Sequence, residues 1–279
     1  TLTPNTGIVT LGDGATLTGQ GGENTRVAIA SNATVTLDDV AIRNIPDDDN
    51  HMWAGITCLG NATIVLAEGT NNNVMGGDAG YPGIKVGPIG TTLTIRGSGS
   101  LVVQSNKTFS AGIGSILWNG KQTSRCGNIV IESGNIRARG GVAPGIGASQ
   151  NSRCGSITIK GGTIHAEGED SPGIGCYNST CDNISITGGT VTANSKRSPA
   201  IGSGYKGSCG DITIYPISSV TAESTQANYC IGADDKGTCG TITVANVKMG
   251  NITENPYVYA PTDIPYTVTF NANGGAGAK

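Results

Sequence analysis

The sequence predicts an all-β fold: a right-handed single-stranded parallel β-helix of about eight to nine coils, each of ~28 residues with three short strands. Three observations carry that reading. A motif recurs at a nearly constant interval, apolar residues alternate with polar ones inside each short segment, and 45 of the 279 residues are glycine, where about 7% is usual. The glycines follow no every-third-residue period, which excludes collagen. With 37% apolar and 13% charged residues, the chain is too apolar and too weakly charged for generic disorder.

The interval is clearest from the cysteines. Cys126, Cys154, Cys181, Cys209 and Cys239 open successive copies at steps of 28, 27, 28 and 30 residues. Three apolar columns run through the copies. The first is an Ile-x-Ile pair beginning at Val35, Ile64, Leu93, Ile129, Ile157, Ile184, Ile212 and Ile242. The second reads Val40/Ile42, Leu101/Val103, Ile136/Ala138, Ile164/Ala166, Val191/Ala193, Val220/Ala222 and Val247/Met249. The third follows a Pro-Gly or similar turn at Ile29, Ile56, Ile84, Ile113, Ile146, Ile174, Ile201 and Ile231. Alternation with period two marks strands with one buried face, and helical spacing never persists for the ten or so residues a helix needs. A propeller blade would take four strands in ~40–45 residues. The Leu-x-x-Leu-x-Leu frame of leucine-rich repeats is absent. Parallel stacking places each copy ~4.8 Å above the last, so the columns form one interior that no single coil could build.

The division expected from the frame is a β-helix over 1–253 and a linker with the start of another module over 254–279. After Met249 the pattern fades through Asn251, Pro256 and Pro261, and YTVTFNANGGAGAK from Tyr266 alternates and then turns on Asn273-Gly274-Gly275. That segment resembles the opening strand and turn of the Listeria–Bacteroides (internalin B-type) repeat of bacterial surface proteins, which implies that the sequence stops within a further module. The 28-residue frame, with its GG-T-hydrophobic-x-A and P-G-I-G elements over roughly 90–245, is similar to the glycine-rich repeats of gut-bacterial surface β-helix proteins. Both resemblances imply an extracellular protein, secreted or on the cell surface. Such repeats say little about a ligand, since the fold dictates most of their residues.

Charge and length exclude other classes. A net charge of −3 leaves no basic footprint for nucleic acid, and no apolar run approaches the ~20 residues that span a bilayer. Eight cysteines with two histidines lack the paired short spacings of zinc sites. The five repeat cysteines share a column at neighbouring-coil distance. Two readings remain open, a ladder of small buried thiols or disulfides between coils. Cys58 and Cys176 fall in equivalent places four copies apart and cannot pair with each other.

Parallel β-helices often carry polysaccharide lyases and glycosidases, which need two carboxylates ~5–9.5 Å apart on one face. The columns do not supply them. Glu167 stacks between Arg139 and Asn194, Glu132 between Arg96 and Lys160, and Glu223 on Asn194. These are ladders of opposite charge or neutral partners, as a solvated face requires. His165 falls between Arg137 and Thr192 and reads as a surface histidine. No catalytic residue is therefore expected.

Insertions in repeat proteins map to loops and often to binding faces. One runs from Asn44 to Ala54 and carries Asp47, Asp48, Asp49, His51 and Trp53; another runs from about Ser115 to Arg125 and carries Trp118. Trp53, Tyr81 and Phe109 are spaced 28 and 28 apart, close to the same place on three consecutive coils. Such a column would either stack pyranose rings or seal the core as a buried flap, and the exposure of Trp53 separates the two. The expected ligand-binding set is therefore Trp53, Tyr81, Phe109, Trp118 and His51. Asp47–Asp49 is the one candidate metal cluster, suited to calcium by its hard oxygen ligands, though it lacks the spaced Asp-x-Asp-x-Asp-Gly loop; no other cofactor is expected. The expectation is a non-catalytic, monomeric, adhesin-like β-helix whose partner is a polysaccharide or a host surface glycoprotein. The alternatives are a polysaccharide lyase or glycosidase and a passive stalk.

Overall fold

The computed structural model describes residues 1–43, 53–77, 80–105, 109–117 and 125–261. The described chain is a parallel β-solenoid with three strand-bearing faces. Isoleucines spaced one coil apart lie directly over one another on the third face: Ile56, Ile84, Ile113, Ile146, Ile174, Ile201 and Ile231 are successive register partners. All seven are fully buried. Burying each such side chain contributes ~1.5–3 kcal/mol, which is why the column holds its register. This face is a nine-stranded parallel sheet running from Ile8–Leu11 to Ile231–Ala233.

The other two faces join into one sheet because Ala33–Ile42 runs through both, bent at Asp39, whose φ is 52°. First-face strands such as Ile157–Ile159 and second-face strands such as Thr163–Gly168 each pair in parallel with their counterparts one coil away. The inward residues merge into a single apolar interior from Leu2 to Tyr257. Between faces, asparagine and aspartate side chains cap the next coil. Asn128 Oδ1 accepts from the Ser156 amide at 2.9 Å, Asn183 from Asp211 at 2.9 Å, and Asp211 from Thr241 at 2.7 Å.

Four register details differ from expectation. On the first face Leu93 lies against Ala62, and Ile95 against Ile64, a slip of two residues. On the third, Ile56 pairs with Val27 rather than Ile29. A slip of two leaves the same side chains facing inward, so burial does not oppose it. The gap in the second column is filled by Asn72 and Val74. Asn72 is buried in the apolar interior, where its carboxamide accepts from the Val40 amide at 3.0 Å and donates to the Ser100 carbonyl at 3.1 Å. The bend at Asp39 takes Val40 out of the regular ladder, and the Asn72 side chain satisfies the amide that results.

The fourth difference closes the solenoid. Val247 and Met249 do not enter the core but are exposed, because Ala245 and Asn246 at φ 49° and 68° turn Val247–Met249 back antiparallel on Ile242–Val244. Tyr257–Tyr259, beyond the expected boundary at 253, then pairs antiparallel with Ser219–Ser224. Tyr257 there belongs to the core cluster.

Glycine is required at the middle of the third-face strands from Gly114 onward. Gly114, Gly147, Gly175, Gly202 and Gly232 have φ between 128° and 154°. A Cβ on Gly175 would meet the Gly202 carbonyl oxygen at 1.8 Å, and one on Gly147 the Gly175 oxygen at 1.9 Å. Only glycine accepts both that backbone and that approach. Gly147, Gly175, Gly202 and Gly232 are themselves buried. From Gly114 onward the centre of each strand on this face therefore carries no side chain.

Candidate ligand-binding groove

Side chains from the two turns that flank the third-face strands come together towards the C-terminal end of the solenoid. From one turn come Asp170, Arg197 and Ser198; from the other come Tyr177, Tyr205 and, one coil on, Asp234. Together they line an open cleft of about 270 Å³. A second cleft of about 270 Å³ adjoins it, sharing Arg197, Tyr205 and Asp234 and adding Gln226, Asn228, Tyr229 and Lys236. The two form one groove that crosses coils at the C-terminal end of the solenoid.

The groove is built around the tyrosines. Tyr177 and Tyr205 lie 6.2 Å apart between ring centroids, tilted by 34°, within the range of favourable aromatic pairs. Lys206 and Lys236 set their ammonium groups 5.3 Å and 5.0 Å from the Tyr205 centroid, a cation–π arrangement on one ring. Arg197 donates to Asp170 at 2.8 Å and is itself more than half exposed. Partial burial and the carboxylates of Asp170 and Asp234 push the Tyr177 phenol above its usual range, so it stays a neutral donor at any physiological pH. The lining thus offers apolar ring surface, carboxylate acceptors, a guanidinium fork and the Lys236 ammonium group along one channel.

The residues expected from the sequence fare differently. Trp53 and Tyr81 hold the same position, three residues before the paired Ile56 and Ile84, but Phe109 is four before Ile113 and falls one place out of register. The place it would have shared is taken by Ser110, which is buried and donates to the Gly80 carbonyl at 3.0 Å. Trp53 is only 8% exposed. Its indole N–H donates to the Thr25 carbonyl at 3.1 Å, and the Arg26 guanidinium lies 3.7 Å from its ring centroid. With one face under Arg26 and its edge anchored to the coil below, Trp53 seals the core and offers no stacking surface. Tyr81 is half-buried and Phe109 exposed. Trp118, His51, Asp47, Asp48 and Asp49 lie outside the described residues. Sequence reasoning missed Tyr177 and Tyr205, although their 28-residue spacing is the same signal that singled out Trp53, Tyr81 and Phe109.

A second cluster stands on the outer side of the second face. Glu167 lies between Arg139 and Asn194, and His165 between Arg137 and Thr192, as their columns predict. Glu167 accepts from Arg137 at 2.7 Å and also from Arg139 and His165. Burial raises its carboxyl pKa, but the hydrogen bonds from Arg139, Arg137 and His165 outweigh burial and hold it below the usual range. Glu132 meets Lys160 at 3.2 Å. These are ladders of opposite charge along the solenoid, and each carboxylate is committed to a cation.

All eight cysteines are free thiols, and seven are buried. Cys154 and Cys181 pair in register in a short two-stranded corner sheet, which isolated bridges extend from Arg125 to Thr238. Among the described residues no group of three or more His, Cys, Asp or Glu side chains is arranged to hold a metal ion.

Residues 129–150, 157–176 and 184–205 match a family model described as a beta helix repeat. The matched segments are three consecutive coils of the solenoid; the third includes Tyr205, and the second ends one residue before Tyr177. The comparison with curated proteins returned no match, nor did that with solved structures.

Proposed function

We propose that this β-helix is a non-catalytic carbohydrate-binding module, exposed on a bacterial cell surface or secreted, and that the Tyr177–Tyr205 groove receives a stretch of polysaccharide. The observation that carries the reading is the pairing of tyrosine rings with Arg197, Asp170 and Asp234 in one open channel that crosses successive coils. Sugars present apolar C–H faces that stack on aromatic rings, and hydroxyls that bridge carboxylates and guanidinium donors. A ligand site of mainly apolar surface with a few placed polar groups fits that chemistry. The coil spacing of ~4.8 Å is close to the length of one sugar residue, so a chain lying along the solenoid would meet each coil in the same way. Asp170, tied to Arg197, is placed to hold a hydroxyl rather than to give up a proton. The resemblance to surface repeat proteins supports the location, and a polysaccharide or a host surface glycoprotein is the partner.

A glycan array followed by calorimetry tests this. Binding of an extended polysaccharide is expected, with Tyr205→Ala weakening it at least tenfold, about 1.4 kcal/mol, while the unfolding temperature stays near that of the parent. An array without a hit, from plant, bacterial and host glycans alike, would leave the protein a stalk. Release of new reducing ends or unsaturated uronates from a bound polymer would make it an enzyme.

A further inference from the structure

The cysteine column is unlike an ordinary set of buried thiols. Cys126, Cys154, Cys181, Cys209 and Cys239 occupy consecutive rungs. The Cys126 amide donates to Arg153 at 2.8 Å, that of Cys181 to Ser208 at 2.9 Å, and that of Cys209 to Thr238 at 3.0 Å. Cys126 Sγ and Cys154 Sγ are 2.9 Å apart. Strands in register at ~4.8 Å place successive Cα atoms within the 4.4–6.8 Å that a disulfide spans. A solvent-open cleft of about 540 Å³ has Cys181 and Cys209 in its wall, with Arg153, Thr180 and Ser208 beside them. Cys239 is partly exposed at the end of the column. Cys181 and Cys209 are themselves buried, at 4% and 5% exposed, but they border that cleft, whereas Cys126 and Cys154, at 1% and 0%, line no part of it and form the closed end.

We propose that this column is an oxidisable staple, in which a small-molecule disulfide enters at Cys209 and the resulting cross-link passes rung by rung until Cys126–Cys154 and Cys209–Cys239 join adjacent coils. In the first step the Cys209 thiolate attacks one sulfur of the small disulfide, forming a mixed disulfide and expelling one small thiolate. Cys181 then attacks the Cys209 sulfur, its proton passing to the expelled thiolate, and the second small thiol leaves. Two protein thiols and one small disulfide give one protein disulfide and two small thiols. Exchange carries the bond inward: Cys154 displaces Cys209 from Cys181, and Cys126 then displaces Cys181 from Cys154. Each exchange makes one S–S bond and breaks one, and the proton moves to the departing sulfur. A second equivalent of oxidant then joins Cys209 to Cys239.

The electrostatics agree with entry at Cys209. Hydrogen bonds from Cys181, Cys239 and Ser203 outweigh its burial and lower its pKa to about 4. At the closed end burial raises Cys126 well above the usual thiol range, so it reacts with a neighbour's disulfide and not with a reagent in solution. Cys176 flanks the column at Cys181 but donates to the Ser208 carbonyl at 3.3 Å.

The test is to reduce the intact chain, treat it with oxidised glutathione, titrate free thiols after denaturation and map cross-links by non-reducing peptide mass spectrometry. Loss of four of the eight thiols is expected, with Cys126–Cys154 and Cys209–Cys239 peptides and a higher unfolding temperature. Cys181→Ser leaves the Cys126–Cys154 pair intact but breaks the relay, so only the Cys209–Cys239 link should form. Eight titratable thiols after oxidation would overturn the proposal, as would cross-links chiefly between molecules or through Cys58. Formation of Cys126–Cys154 at the parent rate in the Cys181→Ser variant would overturn the relay. Glycan binding plays no part in these readouts.

Discussion

The coils from Cys126 onward and those before Ser115 build the same three-faced section by different means. In the later coils the middle of the third-face strand is glycine with positive φ: Gly147, Gly175, Gly202 and Gly232. In the earlier ones Thr57 and Lys85 stand in that column, and Gly114 begins the run of glycines. The second column of the later coils pairs Ile or Val with a fully buried alanine, as at Ile164/Ala166 and Val191/Ala193. The earlier ones use Val40/Ile42 and Asn72/Val74. Uniform coils can lock carbonyl against glycine rung after rung, whereas uneven coils keep side chains at that place and repair their bends one at a time. The Tyr177–Tyr205 groove lies on the uniform part, where a spacing of one coil sets the two rings 6.2 Å apart.

The largest effect that tests this contrast should come from Gly175→Ala. Its Cβ would meet the Gly202 carbonyl at 1.8 Å on a backbone with φ 139°, so overpacking and backbone strain combine to about 4 kcal/mol or more. Lys85→Ala, in the same column among the uneven coils, should stay within ~0.5 kcal/mol. Denaturant melts of the two variants provide the comparison, and similar midpoints would remove the distinction between the two kinds of coil.

Trp53→Ala should come next, at about 3 kcal/mol from lost burial together with the Thr25 hydrogen bond. Because Trp53 seals an uneven coil far along the solenoid from Tyr205, glycan affinity at a temperature where the variant is folded should be unchanged. A loss of affinity without a loss of stability would restore the expected platform at Trp53.

The uniform coils are legible in sequence because identical packing at each rung demands identical residues. The Ile146, Ile174 and Ile201 column could be read directly, as could the placement of Glu167 between Arg139 and Asn194. The uneven coils resist the same reading for physical reasons. A register slip of two, as between Ile64 and Leu93, preserves the inward pattern and leaves no trace in alternation. Asn72 breaks the apolar column, yet it is there to satisfy the Val40 amide, a need that arises only from the bend at Asp39. The turn at Ala245-Asn246 adopts positive φ without glycine, so Val247 and Met249 imitate one more rung of the column. For the groove, the Tyr177–Tyr205 spacing was available, but the convergence of Asp170, Arg197 and Asp234 on the same cleft depends on the directions of turn side chains, which the spacing does not give.

Asn72→Leu measures one such repair. The substitution makes the second column uniformly apolar, which by burial alone would stabilise. It also leaves the Val40 amide without its acceptor in a dry interior, a cost of about 1–3 kcal/mol. A net loss of stability is expected, checked by the chemical-denaturation midpoint. A stabilised variant would mean that the uneven coils could be regularised residue by residue.

The smallest effect concerns the charge ladder, which also belongs to the uniform part: below Arg139 the column holds the neutral Gln104 and Met75. Glu167 has a folded-state carboxyl pKa below its unfolded value. Its stabilisation is therefore complete above the unfolded pKa, near 4.3, and is lost as pH falls through the folded one. At the margin of the solvent such a network contributes at most ~1 kcal/mol. Glu167→Gln should lower the unfolding temperature by a few degrees at pH 7, and the gap to the parent should close as pH falls below the unfolded carboxyl pKa and through the lower folded one. High salt should narrow the gap at pH 7 in the same way, since screening acts on exposed pairs. A gap that persisted at low pH would assign the effect of Glu167 to packing against Asn194 rather than to its charge.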